Sequence, residues 1–169
     1  MKKTLLILTV LFLANITFNA QKFAVVDSKY ILSQMPDYKE SQKKIDELAE
    51  KWQKEISAKY KEIENKYKAY QQEEILLPEE TKQLRQKEII ELEDKAKELQ
   101  KKRFGVGGDL YKKRKELIEP IQDRIYQAVK QLSKDNNYNF ILDKGTNSNI
   151  LYADPKYDKS DAVLRKLNN

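Results

Sequence analysis

Between Ile45 and Tyr70 the larger apolar side chains fall at Ile45, Leu48, Trp52, Ile56, Tyr60, Ile63, Tyr67 and Tyr70, seven steps over 25 residues, with lysine and glutamate between them. A period near 3.6 with one narrow apolar face is the pattern of a long amphipathic helix. Pro36 is placed to open that helix, and LLPEE (76–80) to end it. Pro78 suits the start of a second helix, and Glu79 and Glu80 suit its positive end. The stripe then resumes at Leu84, Leu92, Ala96 and Leu99, and continues through Val106, Leu110, Leu117, Ile121, Ala128 and Leu132. Two helices of ~40 and ~55 residues make an antiparallel hairpin reaching roughly 60 Å at 1.5 Å per residue. So narrow a stripe cannot enclose a globular core, and the hairpin is expected to be an arm.

FGVGGD (104–109) holds three of the four glycines and falls inside the second helix. From Leu99 to Leu132 the stripe steps by 7, 4, 7, 4, 7 and 4, an eleven-residue repeat that crosses the glycines in phase. This predicts that Gly105, Gly107 and Gly108 lie within one continuous helix. If the hairpin turns near Pro78, paired residues have numbers summing to about 155, which puts the glycines against Ala49 and Glu50, beside Trp52. Two readings stay open: a hinge in the arm, or small residues making room for Trp52. Propensity alone predicts that Gly107→Ala with Gly108→Ala stabilises the arm by up to ~2 kcal/mol. A phosphate loop is excluded by context, because no strand precedes the glycines and no Gly-Lys-Ser/Thr follows. Pro120 removes a backbone donor and is expected to kink the return helix, a further hinge candidate.

The flanks read differently. KFAVVD (22–27) is a buried strand, and NFILD (139–143) and ILYAD (150–154) are two more, joined by KGTNSN, whose Gly145 and Asn147 suit a hairpin turn. DKSDAVLRKL is a terminal helix with Asp158 or Ser160 as its cap and Ala162, Val163 and Leu167 on its apolar face. The fold class is therefore α+β. A small β body of three strands, residues 21–35 and 117–169, is completed by oligomerisation; the arm is residues 36–116, with its tip near 76–80; a short helix ends the chain. Open strand edges and little core favour assembly with other copies. Residues 1–20, with Lys2 and Lys3 before LLILTVLFLA, read as a secretory signal cleaved after Ala20.

Without those twenty residues the chain carries 31 basic and 27 acidic residues. Alternating signs along helices mark solvated surfaces rather than a nucleic-acid face. No cysteine or histidine occurs, which removes disulfides, thiolates, imidazole bases and the commonest metal ligand. No cofactor and no catalytic set is expected. Residues 95–116 carry nine basic and three acidic side chains, whereas residues 70–94 carry three basic and eight acidic ones. Candidate binding residues are thus the arm aromatics Trp52, Tyr60, Tyr67 and Tyr70, and the mid-arm cations Lys101, Lys102, Arg103, Lys112, Lys113 and Arg114, which suit loose contacts with an unfolded or anionic partner.

In order, the strand KFAVVDSKYIL, the charged hairpin, RKELIEPIQDRIYQAV, FILD, ILYAD and DKSDAVLRKL resemble the Skp (OmpH-like) family of periplasmic chaperones across the whole mature chain. The resemblance implies a homotrimer with a β body and three helical arms. The arms would enclose a cavity that holds unfolded outer-membrane proteins without ATP, and the protein would be periplasmic. It also raises contact with an anionic membrane or lipopolysaccharide surface. The tip departs from the family, being acidic where basic tips are expected. The same arms would also serve a structural coiled-coil envelope tether, and the basic mid-arm an anionic-lipid or nucleic-acid binder.

Overall fold

Pro36, which has no amide hydrogen to lose, sits at the first position of the longest helix, as the sequence predicts. The computed structural model describes residues 21–146 and 150–168; the expected signal segment and Asn147 of the expected hairpin turn lie outside the described residues. In chain order the elements are β1 (Phe23–Val26), α1 (Ser28–Gln34), α2 (Pro36–Glu73), α3 (Glu79–Phe104), α4 (Asp109–Asn136), β2 (Phe140–Asp143) and α5 (Ser160–Leu167). Short 3-10 turns cover Glu74–Leu76 and Pro155–Tyr157. Residues 29–127 form one compact unit; residues up to 28, with those from 128 onward, form another.

In the first unit α2 and α3 pack as an antiparallel hairpin. Ile45, Trp52, Ile56, Ile63 and Tyr70 are buried along α2, and Ile89 and Ala96 along α3, with Leu92 packed beside them. These spacings of seven, or of three and four, are those of a two-helix seam. Cross-helix pairs set the register: Lys66 with Glu88 at 2.7 Å, Glu73 with Arg85 at 2.9 Å, and the Gln86 amide donating to the Tyr70 hydroxyl at 2.6 Å. Their numbers sum to 154, 158 and 156, close to the expected 155.

The glycines do not lie within a helix. Helix α3 ends at Phe104, its last turn closed by the Gly105 amide donating to the Lys101 carbonyl at 2.8 Å, and α4 begins at Asp109. Between them the Gly108 amide donates to the Gly105 carbonyl at 2.8 Å, and Gly107 has φ +69°. Val106, expected on the apolar stripe, is fully exposed. Continuing Leu92, Ala96, Leu99 and Arg103 by alternate steps of three and four leads to Leu117, Pro120 and Arg124. The residues buried instead are Ile118, Ile121, Ile125, Ala128 and Leu132. The turn therefore advances the seam by one residue, keeping Pro120 and Arg124 off it. Sequence reading found phase continuity because a seven-and-four comb also touches Ile121, Ala128 and Leu132, where the two patterns coincide. Helix α4 runs on through Pro120.

In the second unit β1 and β2 are parallel, pairing Phe23 with Phe140 through to Val26 with Asp143. A parallel pair needs a long crossover, which residues 27–139 provide. Among the described residues the expected third strand is absent: residues 150–154 carry no strand, and the other edge of β1 meets Asp158, with the Lys159 amide donating to the Val25 carbonyl at 2.8 Å. ILYAD has strand-like composition, but no ladder partner takes it up among the described residues.

Asp143 ties this unit together. Its carboxylate accepts from the Ser28 amide at 3.0 Å, the Ser28 hydroxyl at 2.6 Å, the Gly145 amide at 2.8 Å and the Thr146 hydroxyl at 2.6 Å. Asp158 accepts from Lys144 at 2.7 Å and from the amide and hydroxyl of Ser160 at the start of α5, where the N-cap position is Lys159 rather than the expected Asp158 or Ser160. Burial pushes both carboxyls up, but these bonds outweigh it and hold them below the ordinary value of 3.8.

Two outcomes follow from the geometry. A methyl added at Gly105 would lie 2.3 Å from the Lys101 carbonyl oxygen, and one at Gly108 would lie 2.7 Å from that of Lys102. Gly105→Ala or Gly108→Ala should therefore destabilise the arm, by at least about 2 kcal/mol, in urea titration, the reverse of the propensity expectation. Because the folded pKa values of Asp143 and Asp158 lie below the unfolded ones, their contribution is complete above about pH 4 and is lost as pH falls further. Asp143→Ala should cost about 2 kcal/mol at pH 7, and the gap from wild type should close in acid.

Candidate functional site

Many ionisable side chains of the arm face water in pairs three or four residues apart, such as Lys44 with Glu40 and Lys68 with Glu64. Such pairs add little stability and leave the surface polar. What can bind a partner is what this lattice leaves out. Lys101, Lys102, Lys112 and Arg114 are exposed and have no ion-pair partner among the described residues. Lys113 pairs with Glu116 at 2.7 Å.

Arg103 is different. Its guanidinium lies 4.7 Å from the Trp52 ring centroid, bonds Asp109 at 2.7 Å across the glycine turn, and approaches Glu55 at 3.5 Å. Phe104 meets Trp52 edge-on at 6.4 Å. Arg103 thus bridges the end of α3, the start of α4 and the middle of α2, a cation–π and ion-pair clasp over the interruption. The Arg103 Nε is buried without a hydrogen-bond partner.

Of the candidate aromatics, Trp52 and Tyr70 are buried, 8% and 5% exposed, whereas Tyr60 and Tyr67 are 39% and 49% exposed. Tyr70 donates to Glu74 at 3.0 Å, and burial first, then that bond, raises its hydroxyl pKa. Tyr60 donates to Gln100 at 3.3 Å and presents its ring to a shallow groove with Ile56 and Lys61. Two open grooves near the start of α2 were not singled out from the sequence. Tyr38 lines two grooves there. One, of about 410 Å³, runs between α2 and α4 and is also lined by Leu32, Tyr111, Arg114 and Ile118. Such a groove offers apolar floor, hydroxyl donors and one free cation. Finding it required knowing that α4 is rotated by the glycine turn, so that Ile118 rather than Leu117 is buried.

Among the described residues no group of three or more acidic, histidine or cysteine side chains could hold a metal ion, and no helix is long and apolar enough to cross a membrane. The arrangement can bind extended, mixed-character chains through many weak contacts.

The profile of the outer membrane protein (OmpH-like) family matches residues 22–167. No curated protein matches the chain. Among solved structures, a candidate outer membrane chaperone (OmpH-like) from Caulobacter crescentus CB15 superposes with a TM-score of 0.70 at 11% identity, covering 88% of this chain and 85% of that one.

The Trp52 clasp yields a discriminating expectation. Trp52→Ala should lower arm stability by about 3 kcal/mol in a circular-dichroism melt, because the ring is buried and holds Arg103 and Phe104. Unchanged melting with weakened partner binding would make Trp52 a contact residue instead.

Proposed function

The chain belongs to the OmpH-like outer membrane protein family, and from that premise we propose that it is a periplasmic holdase chaperone. It binds unfolded outer-membrane proteins between the helical arms of a homotrimer and keeps them from aggregating without ATP. The observation that carries this reading is the arm itself. It is a long helical arm whose outer surface keeps Tyr60, Tyr67 and Tyr111 exposed along with the free cations Lys101, Lys102, Lys112 and Arg114.

Amphipathic rings and long cationic side chains make shallow, adaptable contacts. Many of them together retain a chain while leaving it mobile, which a holdase requires. The similarity in fold to the Caulobacter chaperone candidate supports the same reading. Trimer formation is supported by β2, whose outer edge has no strand beside it among the described residues and which exposes Phe140 and Leu142, 45% and 44%. An uncovered apolar edge is an assembly site or a liability. The free mid-arm cations also favour a second reading, contact with an anionic membrane or lipopolysaccharide surface. Trp52 and Tyr70, being buried, and Arg103, held by Asp109 and Trp52, serve the arm's structure in this proposal rather than client contact.

The test is light scattering of an unfolded β-barrel membrane protein diluted from urea, with the mature chain at defined oligomeric mass. Suppression without nucleotide is expected. Tyr60→Ser with Tyr67→Ser should weaken suppression several-fold at an unchanged melting temperature, and Leu142→Lys should yield monomers. Full aggregation in the presence of an intact oligomer would reject the holdase reading.

A further inference from the structure

The end of the arm carries apolar surface that its fold does not use. Leu77 turns inward and packs on the cluster of Ile63, Tyr70, Ile89 and Ala96. The two residues before it do the opposite: Ile75 and Leu76 are 92% and 85% exposed. A reversal between helices is made by polar turn residues at least as well, so adjacent exposed aliphatics at an extremity mark a contact surface.

Charge identifies what that surface fits. Glu73, Glu74, Glu79 and Glu80 flank the pair, and residues 70–94 carry eight acidic and three basic side chains. Local cations neutralise this acidic flank only in part. Arg85 is taken by Glu73 at 2.9 Å, Lys82 reaches Glu79 only at 3.9 Å, and Glu80 has no ion-pair partner among the described residues. Apolar contact ringed by carboxylates favours a cationic, apolar chain and disfavours anionic lipid.

We propose that the arm tip, centred on Ile75 and Leu76, binds unfolded segments in which lysine or arginine flanks aliphatic or aromatic residues. The proposal rests on the holdase reading and names a class of client segment for it. The tip takes segments that the basic stretch around Lys101 and Lys112 repels, so opposite ends of the arm's charge gradient hold opposite kinds of chain.

Fluorescence anisotropy of the full mature protein tests this with two labelled peptides of one Leu/Phe sequence, one bearing lysines and the other glutamates in the same places. Ile75→Ser with Leu76→Ser should weaken binding of the lysine peptide by about tenfold or more while leaving the glutamate peptide unaffected. Glu79→Gln with Glu80→Gln should lower the lysine peptide's affinity and its salt dependence together. All four side chains are exposed, and circular dichroism should show unchanged helix content. Equal loss of both peptides, or no loss of the lysine peptide, overturns the tip assignment. So does tip-dependent binding of anionic phospholipid vesicles in its place. The barrel-protein scattering assay, run on the same variants, judges the holdase reading separately: suppression by wild type with no tip-dependent peptide preference rejects only the tip.

Discussion

Everything outside the β body depends on a seam two helices wide. Two long helices can share only a narrow row of apolar side chains, so each seam residue contributes a large share of the burial available to the arm. No third layer compensates a gap. This is why Trp52 recruits both Phe104 and Arg103, why Tyr70 is hydrogen-bonded at its tip, and why the rest of the surface is left to lysine and glutamate. A wide core would have consumed the tyrosines that the arm instead exposes. Narrowness is thus the physical link between stability and binding: the seam holds the helices, and what it cannot cover is available to a partner.

The glycine turn belongs to the same constraint. A strict three-and-four pattern carried from α3 would bring Pro120 and Arg124 onto the seam, one unable to donate a hydrogen bond and the other charged. Advancing the phase by one residue brings Ile118, Ile121 and Ile125 there instead and frees Arg124 to pair with Asp37. Helix is surrendered over Gly105–Gly108, and the Arg103–Asp109 pair spans the gap. The three glycines are required by backbone contacts and a positive φ, not by the bulk of Trp52, and they sit in a break between two helices rather than at a soft point within one.

Much of this was legible in the sequence where a local rule acts alone. Pro36 and Pro78 start helices for reasons confined to a few residues, and the α2 stripe from Ile45 to Tyr70 is read directly from its period. The hairpin register followed from one turn position. What escaped was non-local. ILYAD has strand composition, but a strand exists only with a partner, and its neighbours left one place on the β1 edge, at Asp158. Pairing of Phe23 with Phe140 in parallel was invisible because no short-range signal encodes a crossover of more than a hundred residues. The groove around Tyr38 and Tyr111 was missed because its floor depends on the phase reset, and Ile75 was read as helix and Leu76 as the start of the turn rather than as exposed surface.

Hydrogen–deuterium exchange on the oligomer, alone and holding an unfolded β-barrel protein, tests the central claim most directly, because it reports which backbone a bound chain steadies. The account predicts slower exchange spread along α2 and α3, through the Tyr60 and Tyr67 turns, the 73–80 tip and the 101–114 stretch, with β1 and β2 unchanged. Protection confined to the Phe140–Asp143 edge, with the arms exchanging as they do without client, would contradict it.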